Sequence, residues 1–591
     1  MSAVHTPEIG FNTETRERPA RRIHITSPFA KSGWINHGFV GAWCPGQALQ
    51  VTAGGPGHTV ANEHGFLLGA SEPGAGQRVH ARTAGDRLVA FDGYVVDPPL
   101  HHRSAPAKIT AFWEDRLEKR VNGNFAAAII DSRGAALTLR TDAFGLTPLY
   151  YRVIDELVLF GTSPDYLLLG DETIDRASLL SVLNNGFIVA DQTLYDGIHR
   201  TPLGGCLTFT GTTLESRRVR FDLKVAGSGE GTFTHRDMDR IQGLFHQAVE
   251  RCLALDYSEP VMTLTAGLDS RRVLGALLDS GHRPATMTVR IRTDGEDLDA
   301  TVASRIATRF GLRHTTSELP GPAQYARDDE LRCRLVGSET TMHDWSPTLQ
   351  RLYPDAPAMI FEGFIGDTLQ EPLPHWKDTY ASPAADLERF AMKLAEEPGP
   401  WLARDMLQYS SELAERVRTQ LAPYSDRRHI TDLAELVTDM RRGIGLGSRF
   451  VPPRHLQVRP FFDLDFIQAI FDVDPRIRVQ QPVRRLFIER YHPRLAEFDN
   501  SPDYVDRKPA PPTRLQRARE RACVARAARD LPVRRQYDCL ESIVSPRTLT
   551  LCALTRVAPA ITQRWYWALR PILDTTLQPA RSVPVWRIPA V

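Results

Sequence analysis

The sequence predicts a mixed protein, α/β together with α+β, built from two main domains. Three observations predict it. Short apolar or alternating runs, separated by Gly, Asp and Pro, fill residues 36 to about 210. A Gly- and Ser-rich stretch, KVAGSGEGTFTH at 224–235, then interrupts the apolar text. Beyond it, strand-like and helix-like runs alternate, the pattern of parallel βαβ units. The length of 591 residues agrees, since domains run to roughly 100–200 residues each.

In chain order, residues 1–35 read as an N-terminal arm with little core content. Residues 36–223 read as two packed sheets with few helices. Their strands are GFVGAW (38–43), RLVAFDGYVV (87–96), NFAAAIID (124–131), AALTLRTD (135–142) and LVLFGT (157–162). Residues 224–235 are a linker by composition. Residues 236–512 form the second domain. It opens with a helix at about 236–253, a strand at 261–264, a helix at 270–280, a strand ATMTVRI at 285–291 and a helix at about 299–310. Later text is mostly helical, and residues 513–591 read as a helical C-terminal extension. Within it, Ala and Arg recur at helical density over 514–535, which reads as a solvated helix face or a contact for an acidic substrate. No internal repeat is present.

Composition narrows the function. Net charge is +1, so no global field recruits nucleic acid or a membrane surface. No run approaches the roughly 18 apolar residues of a membrane span. The first 22 residues lack the apolar core of a signal peptide. The seven cysteines are odd in number and form no C-x-x-C pair. Reduced thiols and a cytoplasmic location are therefore expected.

The segment LTAGLDSRR (264–272) joins an apolar strand to an apolar helix. In a parallel sheet, ligands bind at the carboxyl ends of the strands. A helix beginning there points free N–H groups and a positive dipole end outward, which suits phosphate. Thr265, Ala266, Gly267 and Ser270 are small enough for close approach. Asp269 would repel a phosphate unless a divalent cation bridged the two, and Mg²⁺ is typically held by one or two carboxylates plus phosphate oxygens. The Gly-Lys-Ser/Thr ending of a Walker loop is missing.

In context, this stretch resembles the Ser-Gly-Gly-x-Asp-Ser pyrophosphate loop of N-type ATP pyrophosphatases, and the chain resembles the class B asparagine synthetase family. VNGNFAAAIID (121–131), RTDAFGLTPLYY (140–151), LVLFGTSPDYL (157–167) and TLYDGIHRTPLGG (193–205) resemble that family's amidotransferase domain. TLTAGLDS (263–270), GFIGD (363–367), VRPFFDLDF (458–466) and YVDRKPAPP (504–512) resemble its synthetase domain, in matching order. The resemblance implies an N-terminal Ntn-like αββα sandwich and a C-terminal α/β adenylating domain. It implies ATP and Mg²⁺, attack of a carboxylate on the α-phosphate, and displacement of AMP by an amine. Thr265, Gly267 and Ser270 would hold pyrophosphate, with Ala266, Leu268, Gly363 and Gly366 beside them. Asp269 and Asp367 would bind Mg²⁺. Leu264 and the Met287–Val289 strand would meet the nucleoside by backbone. Lys508 would stabilise charge at the reacting phosphorus, a role sound in electrostatics.

The chain also departs from the family. It begins Met1-Ser2-Ala3, without the N-terminal cysteine that the family's glutaminase uses, and Cys44 reads as a strand-end thiol. Asp92 and Tyr94 stand where Asn and Glu of the glutamine pocket are expected. Phe364 replaces the acid/base residue three positions before Asp367. Glu362, Glu371, His343 and Asp344 are then the candidates for accepting the amine's proton. These departures point to an amide-forming ligase that does not use glutamine. The first reading is a lasso-peptide macrolactam cyclase. Its peptide carboxylate substrate, its leader-binding protein and its leader peptidase are implied by resemblance alone. The Gly-rich, basic MRRGIGLGSRF (440–450) and the C-terminal helices are compatible with a long substrate, although packing of the synthetase core is the favoured reading for either. The other readings are a synthetase using a small-molecule carboxylate with ammonia or a small amine, β-lactam formers included, and a non-catalytic scaffold.

Overall fold

The computed structural model describes residues 20–29, most of 38–218, most of 233–499, a few residues between 514 and 518, and 585–588. Lys508, Asp344, most of the linker and nearly all of 513–591 lie outside the described residues.

The N-terminal domain is two sheets face to face, with one helix on each outer side. One sheet has six strands; the other has seven, six in a continuous row and one short strand paired off that row. Strict alternation along the strands builds the layers. In Gly123–Asp131, Ala126, Ala128 and Ile130 point between the sheets to meet Phe39, Trp43, Val158 and Phe160 of the opposite sheet. Phe125, Ala127 and Ile129 point outward, under Ile109, Phe112 and Trp113 of the helix Pro106–Asp115. On the other side, Val40, Ala42, Leu157 and Leu159 share a core with Leu179, Leu180 and Leu183 of the helix Arg176–Asn185. That helix starts at Asp175, which caps the Ser178 N–H, and stops at Gly186 in the left-handed region. The layer order is αββα, as expected.

Two terminal expectations need correction. The expected arm contains the strand Arg21–Thr26, which pairs in parallel with Leu49–Gly54. Its Ile23 and Ile25, and Phe29 beyond it, are buried. The sequence hid this because arginines flank a strand with only two inward apolar positions. Residues 586–587 of the expected helical extension form a strand on the far edge of Arg21–Thr26. Trp586 is buried there, and its indole N–H donates to the Tyr166 carbonyl at 2.9 Å.

The second domain centres on a five-stranded parallel sheet. Its strands are β1 (Pro260–Thr263), β2 (Ala285–Arg290), β3 (His314–Glu318), β4 (Met359–Phe361) and β5 (Leu456–Val458). Their spatial order is β3-β2-β1-β4-β5, all parallel. Val261, Met287, Val289 and Ile360 face one core, while Met262, Met359 and Phe361 face the other. The helices that matter below are α1 (His235–Leu253), α2 (Leu268–Asp279), α3 (Leu298–Phe310), α4 (Gly366–Gln370) and α5 (Val483–Tyr491). A Thr234–Asp237 capping box starts α1. The helix and strand expected between 236 and 310 are all present, within two residues at each end. Among the described residues no helix is long and apolar enough to cross a membrane.

Charged contacts dock the two domains. Arg416 grips Asp175 with two bonds of 2.8 Å. Glu339, fully buried, accepts from Tyr150 at 2.7 Å and pairs with Arg442 at 3.3 Å and Arg200 at 3.7 Å. Arg441 reaches Asp191 at 2.7 Å. Arg441 and Arg442 are thus buried clamps between domains, so the basic run at 440–450 does not offer these two guanidiniums to a substrate.

Candidate active site

The sheet order fixes where a ligand belongs. The chain builds outward from β1 to β2 and β3, then returns to the other side of β1 for β4 and β5. The strand order therefore reverses between β1 and β4, and the crevice beyond their carboxyl ends is the topological switch point. The loop after β1 carries Leu264 to Ser270. The loop after β4 carries Glu362 to Asp367.

The first loop is tightly wired. The Thr265 hydroxyl accepts from the Gly267 N–H at 3.0 Å and lies 3.2 Å from the Ser270 hydroxyl. Ser270 donates to the Gly267 carbonyl at 3.0 Å and accepts from the Thr265 N–H at 3.2 Å. The Ala266 N–H donates to Asp299 at the start of α3, at 2.9 Å. Ala266 is not in the left-handed region, so alanine fits where the resembling motif has glycine. Leu268 opens α2 and is buried.

The second loop presses against the first. A side chain on Gly363 would stand 2.8 Å from the Ser270 nitrogen, and one on Gly366 would stand 2.5 Å from Asp269 Oδ1. Only hydrogen fits at either position. Between them Ile365 is held at φ 65°, a conformation that costs a β-branched residue of order 1–3 kcal/mol. That strain sits two residues before Asp367, which lies in the first turn of α4 and accepts from the Thr368 N–H at 2.8 Å.

Asp269 and Asp367 therefore come together. Burial pushes the Asp269 carboxyl up to about 7; the Arg484 guanidinium opposes this, and the neighbouring Asp367 and Glu371 carboxylates add to it. Arg484 lies 3.3 Å from Asp269 and 2.9 Å from Glu371. Gln370 bridges Gly366 O at 2.6 Å and Asp269 at 3.4 Å, and Arg272 donates to Gln370 from below. Arg272 itself lies 3.9 Å over the Phe487 ring, and burial lowers its pKa to about 9. The donor set fits Mg²⁺: two carboxylates whose crowded like charges a dication would relieve. Among the described residues no cluster of three or more metal-binding side chains exists.

Of the other expected residues, Leu264 N–H donates to the Met287 carbonyl at 3.0 Å, and the Thr288 hydroxyl donates to Leu264 O. Those backbone groups thus bond within the sheet, and the Met287 and Val289 side chains lie in the core. Glu362 is buried, accepts from Gln457 at 2.5 Å and lies 3.3 Å from Arg459; burial pushes its carboxyl up to about 7. Phe364 stacks on His343 with ring centroids 5.2 Å apart. Sequence reading missed Arg484, Gln370, Arg272 and Asp299. The two arginines lie in Arg-rich helical text with no distinguishing spacing, and Asp299 reads as an ordinary first-turn acid.

In the N-terminal domain, the residues at the glutamine positions are satisfied by their own neighbours. Asp92 pairs with Arg78 at 3.2 Å and Arg449 at 3.5 Å. The Tyr94 hydroxyl donates to Asn124 at 2.9 Å and accepts from the Arg459 N–H at 3.0 Å. Cys44 is buried at a strand end.

Comparison with known proteins gives a class for this domain. Residues 107–219 match a glutamine amidotransferase domain family. No curated protein matches the chain. Among solved structures, a glutamine phosphoribosylpyrophosphate amidotransferase from B. subtilis, complexed with ADP and GMP, is 10% identical, with 61% of this chain and 73% of that one covered and a TM-score of 0.20. An allosteric regulatory enzyme of purine biosynthesis is 11% identical over 52% and 74%, also with a TM-score of 0.20. Scores this low carry no residue correspondence. The chain has an amidotransferase-type domain on the strength of the family match and the αββα layers, joined to a parallel α/β domain. That pairing is the one the asparagine synthetase resemblance implied.

Proposed function

We propose that the protein is an ATP- and Mg²⁺-dependent ligase that joins a carboxylate to an amine without glutamine, releasing AMP and pyrophosphate. One observation carries this: Asp269 and Asp367, from loops after adjacent parallel strands, converge at the switch point of the sheet. Asp269 and Asp367 would hold Mg²⁺, which supplies charge neutralisation on the phosphates. The loop 264–270 positions the nucleotide's phosphate tail at the start of α2. Glu362 is the best supported of the four proton acceptors, because burial holds it near 7, where a general base works well. Arg459 then steadies its anion. Lys508 closes the site in this reading by resemblance.

The amidotransferase-type domain serves as a docked structural partner, because Asp92 and Tyr94 are committed to Arg78, Asn124 and Arg459. Within the ligase reading, the substrate of first choice is a precursor peptide whose own amine closes a macrolactam, with leader-handling partner proteins. AMP released from ATP only in the presence of such a peptide supports it. AMP released with a small acid plus ammonium would replace the peptide with the small-substrate reading. Absence of AMP with every acid, in folded protein, would overturn the ligase.

A further inference from the structure

A groove of about 540 Å³ opens where the far ends of α2 and α3 meet the end of α5. Leu278, Phe310 and Tyr491 give it apolar walls, and Arg283, Arg309 and Arg494 give it charge. The three arginines line the groove around Phe310. The Arg494 guanidinium lies 4.9 Å over Phe310, Arg283 donates to the Phe310 carbonyl at 2.9 Å, and Arg309 precedes Phe310 in the last turn of α3. Among the described residues none of the three has a carboxylate within ion-pair distance.

Asp279 is the one acid of the lining. The His492 ring lies 3.6 Å from it and the His246 ring 3.9 Å. Burial lowers the His492 pKa to about 4, so its ring is uncharged near neutrality. Three guanidiniums thus outnumber the single carboxylate of the lining. Surfaces that serve solubility intersperse the two signs, and these cations repel one another unless an anion joins them. Guanidinium forks match phosphate oxygens in pairs. The volume lies in the range of small-ligand pockets.

We propose that this groove is a second ligand site, taking a small phosphate monoester whose apolar body lies against Phe310 and Tyr491 while Arg283, Arg309 and Arg494 hold its phosphate. It is separate from the corner of Asp269. Ten residues of α2 divide Asp269 from Asp279, or about 15 Å at 1.5 Å per residue.

Phenyl phosphate is a suitable probe. Titration calorimetry on the full-length protein should show saturable binding of phenyl phosphate and none of phenol. The double variant Arg309→Ala/Arg494→Ala should bind at least tenfold more weakly. Both positions are exposed, so the variant should melt within a degree or two of the parent, which a thermal scan checks. Equal binding by parent and variant places the ligand elsewhere and overturns the proposal, as does absence of binding to the parent at millimolar probe.

Discussion

Arg484 lies 3.3 Å from Asp269, although 215 residues separate them in the chain. The same guanidinium reaches Glu371 at 2.9 Å. Burial, Asp367 and Glu371 all push the Asp269 carboxyl towards its neutral form, and Arg484 is the largest opposing influence. The corner is thus balanced between the carboxylates that disfavour an ionised Asp269 and the one guanidinium that favours it.

That poise gives a pH dependence with a definite sign. Asp269 ionises at about 7 in the folded chain and near the ordinary carboxylate value when unfolded. Between about pH 4 and 7 the folded state binds the extra proton, so stability falls as pH rises through that window and the loss is complete above it. The penalty reaches roughly 4 kcal/mol if the whole shift is expressed. Asp269→Asn removes this titration. Thermal melts should show the variant gaining on the parent from pH 4 to 7 and holding a constant lead above. With Mg²⁺ and pyrophosphate added, the parent should be stabilised more at pH 8 than at pH 6, and the variant at neither.

Replacing Arg484 by Gln removes the cation that favours ionised Asp269. The Mg²⁺- and pyrophosphate-induced stabilisation should then appear only at higher pH than in the parent. If Arg484 merely packs the helix, its loss lowers stability equally at every pH and leaves that profile in place. Differential scanning fluorimetry across pH 5 to 9 separates the two.

Much of this corner was legible because its signals are local. Small residues between an apolar strand and an apolar helix, with one misplaced carboxylate, mark Thr265 to Ser270 without any partner in view. Pairing Asp269 with Asp367 needed the resemblance, since no spacing joins residues on different strands. Arg484 and Gln370 act through tertiary contact alone and carry no local mark. The strand Arg21–Thr26 was missed for a related reason: two inward isoleucines give too short a period, and its stability comes from pairing with Leu49–Gly54 and the distant 586–587. The basic run at 440–450 left open whether its arginines meet a substrate or pack the core, and only the placement of Asp191 and of the Ala190 and Gln192 carbonyls from the other domain against Arg441 and Arg442 decides it for those two.

Gly366→Ala tests the contact between the two loops. Its methyl would stand 2.5 Å from Asp269 Oδ1 and 2.8 Å from the Phe461 ring. The carboxylate must turn away or the second loop must retreat, and a displacement of about 1 Å at reacting groups can cost 100-fold in rate. AMP release should fall by at least tenfold while the protein stays folded by circular dichroism. Activity within twofold of the parent would show that the loops do not need this approach.

The last prediction concerns the seam between the domains. Glu339 has no exposed surface and faces the Tyr150 hydroxyl, Arg200 and Arg442, the last two also fully buried. Replacing it by Ala leaves two guanidiniums buried with their carboxylate gone. Breaking a buried pair in this way typically costs about 3–5 kcal/mol. Because Tyr150 and Arg200 belong to one domain and Arg442 to the other, the damage falls on docking first. Urea unfolding of Glu339→Ala should therefore split into two transitions, with tryptophan fluorescence and far-ultraviolet circular dichroism no longer coinciding. Glu339→Gln keeps the acceptor for Tyr150 and loses the charge, so it should fall between parent and Ala. If both variants unfold in one transition at the parent's midpoint, the cluster does not hold the seam, and docking rests on the apolar contacts and the Arg416–Asp175 pair.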